Sequence, residues 1–75
     1  MMNSVAYIDA NGVIRCYNGT IAHFAKDIIR YILPLLDTTA KCCFNDITFT
    51  VHKSATEKEI IQMWMHASFG VELVD

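Results

Sequence analysis

No block of like charge interrupts this chain. Its six basic residues, Arg15, Lys26, Arg30, Lys41, Lys53 and Lys58, stand singly, and the formal net charge is −2. Surfaces that bind nucleic-acid phosphates concentrate positive charge, so nucleic acid is disfavoured as a partner. Long apolar runs are also missing: none reaches the roughly 18 residues that span a bilayer. The start, MMNSVAYID, lacks the basic flank and apolar stretch of a secretion signal. A cytoplasmic protein with no membrane association is expected. The three glycines, Gly12, Gly19 and Gly70, are isolated, and neither a phosphate loop nor a dinucleotide fingerprint is present.

Cysteine is odd in number. Cys16, Cys42 and Cys43 cannot all pair within one chain, and without a secretion signal free thiols in a reducing compartment are expected. No Cys-x-x-Cys or His-x-x-x-His spacing occurs. Adjacent cysteines on a strand point to opposite sides of the sheet, so Cys42 and Cys43 cannot jointly hold one ion without a local bulge or a broken strand. No metal and no cofactor is expected, and the thiols read as small core fillers.

What is abundant is apolar side chain. The 75 residues are 53 % hydrophobic and 19 % charged, which excludes disorder. Such a length makes one domain, 1–75, and a domain this small buries only about 60 to 65 % of the surface its unfolded chain exposes.

The order of elements can be read from period and punctuation. Val5 to Ile8 and Val13 to Tyr17 are rich in β-branched and aromatic residues and flank Asp9-Ala10-Asn11-Gly12, a hairpin signal. Asn18 or Thr20 can cap the next element, a helix. At 100° per residue Ile21, Phe24, Ala25, Ile28, Ile29, Ile32, Leu35 and Leu36 share one face, with His23, Lys26, Asp27 and Arg30 on the solvated one. Pro34 ends or kinks that helix near Leu33.

Ala40 to Phe44 and Ile47 to His52 form a second hairpin around Asn45-Asp46, the later strand alternating Ile47, Phe49 and Val51 with Thr48, Thr50 and His52. Ser54 with Glu57, and Thr56 with Glu59, offer overlapping capping boxes. The second helix carries Ile60, Ile61, Trp64, Ala67 and Ser68 inward and meets Gly70, a left-handed cap. Val71 to Asp75 offer one further edge strand. The halves echo each other, Lys26-Asp27-Ile28-Ile29 matching Lys58-Glu59-Ile60-Ile61. The expected fold is α+β: a two-layer sandwich in β-β-α-β-β-α order, its mainly antiparallel sheet covered on one face by two amphipathic helices.

Chemistry finds little purchase. His23 and Asp27 lie one helical turn apart, in reach of a pair, but no nucleophile stands at a recognisable spacing, so no catalytic residue is assigned. The apolar excess carries the functional expectation. Tyr31, Leu33, Leu35, Leu36, Met63, Met65 and Phe69 flank the two core stripes, beyond what a four-strand sheet covers. Exposed apolar patches mark partner surfaces.

The expected function is therefore a small non-catalytic protein-interaction module. It self-associates as a homodimer and regulates or inhibits a protein partner, with an interface of Tyr31, Leu35, Leu36, Met63, Trp64, Met65 and Phe69. In general character such a chain is similar to accessory proteins of bacterial viruses, although no motif carries that likeness. The alternative is a small-ligand or single-stranded nucleic-acid binding domain using the sheet face of Tyr7, Tyr17, Thr48, Thr50 and His52.

Overall fold

Hairpin and helix alternate twice along residues 4–69, the part of the chain that the computed structural model describes. The expected Gly70 cap and the Val71 to Asp75 strand lie outside the described residues. Strand β1 (Ala6–Ile8) pairs antiparallel with β2 (Ile14–Cys16). The turn between them is built on Asp9, whose carboxyl accepts the N–H groups of Asn11 and Val13 at 2.8 and 3.0 Å. Gly12 supplies the positive φ of 80° that closes it.

Helix α1 (Ile21–Asp27) starts where the Thr20 hydroxyl accepts the His23 N–H at 3.1 Å. It runs on into a π turn, Ile28–Ile32, and a 3-10 turn, Leu33–Leu35. The cause is Pro34, which has no N–H to give the preceding turn. The Leu33 N–H reaches back to the Ile28 carbonyl instead. One extra residue in a turn rotates the downstream side chains by about 100°. Leu33 is consequently 4 % exposed and Leu35 76 % exposed, the reverse of their places on a regular helix.

Strands β3 (Thr39–Phe44) and β4 (Ile47–His52) pair antiparallel over six residue pairs, from Thr39↔His52 to Phe44↔Ile47. Asn45 and Asp46 join them with φ of 52° and 64°, the left-handed pair that matches strand twist in a two-residue hairpin. Helix α2 (Glu57–Phe69) is capped by Thr56 and Glu59: the Glu59 carboxyl accepts the Thr56 N–H at 2.9 Å and the Thr56 hydroxyl accepts the Glu59 N–H at 3.2 Å. Of the two overlapping boxes, the later one is formed.

The strands lie in chain order, β1-β2-β3-β4. The outer pairings are antiparallel, but β2 and β3 run parallel, with Ile14 opposite Cys42 and Arg15 opposite Cys43. Helix α1 carries the chain back before β3 begins, so the two strands flanking it point the same way. The fold is thus α+β, a four-strand open sheet with two helical segments.

Register decides what each sheet face holds. Ala6, Ile14, Cys16, Ala40, Cys42, Phe44, Ile47, Phe49 and Val51 fall on one face. All of these except Ile47 lie in or against one core cluster with Phe24, Ala25, Ile28, Ile32, Leu33 and Ile60. Helix α2 packs on β4 and beside α1. Only Ile60 of its inward set is fully buried; Ile61 and Trp64 are half-buried against the core, and Ala67 is exposed.

Candidate functional site

A line of rings runs from the core to the surface. Fully buried Phe24 stacks on Phe44 with centroids 5.7 Å apart, Phe44 meets Trp64 edge-on at 5.3 Å, and Trp64 meets Phe69 edge-on at 5.7 Å. The Trp64 indole N–H donates to the Phe44 carbonyl at 3.0 Å, fixing the ring's direction. Phe69, the last ring, is 65 % exposed. Rigid aromatic side chains with one wet end are the usual anchors of protein interfaces.

The seven residues expected at an interface separate into groups. Tyr31, Leu36, Met63 and Trp64 pack against the core cluster as half-buried side chains, and Met65 is half-buried. Leu35 and Phe69 are truly exposed. Leu33, counted among the surplus, is core. The surplus is therefore smaller than the composition implies, because the phase change after α1 and the ring contacts of α2 hide several members. The groups also sit apart. Phe69 and Trp64 lie by Phe44, next to the Asn45-Asp46 turn. Leu33 and Pro34 line a wide-mouthed cavity of about 210 Å³ with Lys53, Ser54 and Ala55, at the far end of β4.

Asp27, expected on a solvated face, is 7 % exposed. Its Oδ2 accepts the Val5 N–H at 2.8 Å and lies 3.4 Å from His23 Nε2. The pair on α1 thus exists, and its acid holds the chain ahead of β1. A second cavity, about 410 Å³ and open, is lined by Cys16, Asn18, Gly19, Phe44 and Asn45. Burial pushes the Cys16 thiol upward, and the nearby Asp27 adds to the shift, which works against the thiolate that nucleophilic chemistry needs. Burial pushes the Cys42 thiol up to about 12. The three cysteines are free, with Cys42 and Cys43 buried. Among the described residues no cluster of three His, Cys, Asp or Glu side chains could hold a metal ion.

The opposite face of the sheet is the polar one. Across it Tyr7, Arg15, Cys43 and Thr48 stand in one row, each opposite the next. Lys41 pairs with Thr50 and Thr39 with His52 on the same side. Four of the five residues expected to share a binding face, Tyr7, Thr48, Thr50 and His52, are thereby on one face, and Tyr17, just beyond β2, is exposed. The register adds two cations that single-strand patterns did not reveal, Arg15 and Lys41. Arg15 is engaged: its Nε donates to Asp9 Oδ2 at 2.6 Å. That bond, helped by the Val13 N–H, holds the Asp9 carboxyl below its ordinary value.

No protein-family model matches the chain, and comparison with curated proteins and with solved structures gives no match. Among the described residues no helix is long and apolar enough to cross a membrane.

Proposed function

We propose that this chain is a non-catalytic protein-interaction module that self-associates as a homodimer and regulates or inhibits a protein partner by occupying its surface. The observation that carries the reading is the ring series from Phe24 to Phe69, which ends in a large exposed side chain braced by Trp64. A braced aromatic loses little conformational freedom on association, so more of its burial appears as affinity. Supporting it, the register and burial of the strands favour a two-layer arrangement with both helices over the apolar face.

Trp64 is the sole tryptophan and touches the proposed surface, so its emission reports on it. Diluting the protein shifts Trp64 emission to the red and opens it to acrylamide as dimers separate. Emission independent of concentration, in native chain and Phe69→Lys alike, contradicts the reading. A second reading, ligand or single-strand binding on the polar face, is favoured by the row Tyr7, Arg15, Cys43 and Thr48. It predicts oligonucleotide binding that collapses with added salt and weakens in Lys41→Gln.

A further inference from the structure

The two edges of the sheet are finished differently. At the β1 edge the Tyr17 N–H donates to the Val5 carbonyl at 2.6 Å and the Asp9 N–H to the Val13 carbonyl at 2.9 Å, so the alternate residues, Ala6 and Ile8, turn their backbone groups outward. Those of Ala6 are occupied, since the Ser4 hydroxyl accepts the Ala6 N–H and donates to the Ala6 carbonyl, each at 3.0 Å, which leaves Ile8 alone to offer a pair. The strand is three residues long and stops at the Asp9 turn. This edge is blunted.

At the other edge, β4 offers six regular residues with no proline, no bulge and no Lys, Arg, Asp or Glu. The Lys53 N–H donates to the Thr38 carbonyl at 3.0 Å, continuing the ladder that turns Ile47, Phe49 and Val51 toward β3. The N–H groups of Thr48, Thr50 and His52 therefore point away from the sheet. Among the described residues no strand lies beyond β4, and the Thr48 and Thr50 N–H groups meet no backbone carbonyl there.

Resting on the self-association reading, we infer that the free edge of β4 pairs antiparallel with β4 of a second copy, joining two four-strand sheets into one of eight. The occupant is a copy of this chain because the edge is self-complementary. With Phe49 opposite Phe49 of the second copy on a two-fold axis, Thr48 faces Thr50 across the junction. Their outward N–H and C=O groups bond reciprocally, and their hydroxyls pair on the polar face. Ile47 faces Val51, continuing the apolar face. Asp46 falls beside His52, opposite in sign when the imidazole is protonated. The His52 carbonyl, which already accepts the Ala55 N–H at 3.1 Å, stays out of the junction. Because β1 is blunted, pairing stops at two copies and the assembly closes.

The experiment measures solution mass across a concentration series, with amide exchange at Thr48 and Thr50, for the native chain, Thr50→Pro, Thr50→Lys and Phe69→Lys. Thr50 donates nothing to β3, so proline there spares the internal ladder, and lysine is a milder edge block. The inference expects a native dimer whose Thr48 and Thr50 amides are protected only at dimer-forming concentrations. It also expects both Thr50 variants to keep native circular dichroism while associating at least about tenfold more weakly. A dimer unchanged by both Thr50 variants but broken by Phe69→Lys overturns edge pairing and leaves self-association standing. A native chain that is monomeric at every concentration overturns both. A monomer that dimerises only when residues 70–75 are deleted shows the chain's own end on the edge, and also overturns the inference.

Discussion

Asp27 shows how one side chain can be misjudged from its helical neighbours. Its angle on α1 places it with Lys26 and Arg30, yet it is buried because the Val5 N–H, 22 residues earlier in the chain, needs an acceptor. No local pattern announces a partner at that separation. Asp27→Ala leaves the Val5 N–H unpaired and lowers stability by about 1 to 3 kcal/mol in urea unfolding. His23→Ala, removing an exposed partner, costs under about 1 kcal/mol; the opposite ranking would contradict the anchoring role. Cys42 carries a pH signature. Burial raises its thiol to about 12 from an ordinary value of about 9, so the folded chain keeps a proton that the unfolded chain releases. Its contribution to stability is complete below about pH 9 and is lost as pH rises from there toward 12, at no more than about 1.4 kcal/mol per pH unit. Denaturant titrations between pH 8 and 11 are expected to show this loss in the native chain and a shallower one in Cys42→Ala. Parallel pH dependence in the two chains would exclude Cys42 as its source.

At the scale of elements, punctuation was the most readable layer. Left-handed backbone at Asn45 and Asp46 and the reciprocal Thr56–Glu59 bonds arise from residue types that suit those positions. The end of the first helix was not readable in the same way. Pro34 marks an interruption but not its form, and the π turn before it decides that Leu33 goes in and Leu35 out. The parallel pairing of β2 with β3 was likewise hidden, since hairpin signals describe only the strands they join. The row Tyr7, Arg15, Cys43 and Thr48 depends on that pairing, which is why the alternation in β4 was legible and the composition of the whole face was not. The second turn allows a direct check. Asp46→Gly removes a side chain from a positive-φ position and raises stability by a few tenths to about 1 kcal/mol, whereas Asp46→Val lowers it by about 1 to 2 kcal/mol. Equal effects of the two would mean that this turn does not hold the register.

The molecule as a whole hides more of its apolar surface than its composition suggests. Tyr31, Leu36, Met63 and Trp64 find partial cover within the chain, so the proposed aromatic contact surface is a local feature, the end of α2 with Phe69 at its tip. Met63 is a poor probe of it, because a charge there also strikes the core; Phe69 is the better one. If association completes the cover of this chain, solution mass over a wide concentration range registers it. The mass is expected to rise from 8.5 kDa to twice that value, with Phe69→Lys shifting the midpoint to higher concentration while its thermal unfolding stays cooperative. A constant 8.5 kDa for the native chain at the highest concentration reached would contradict it.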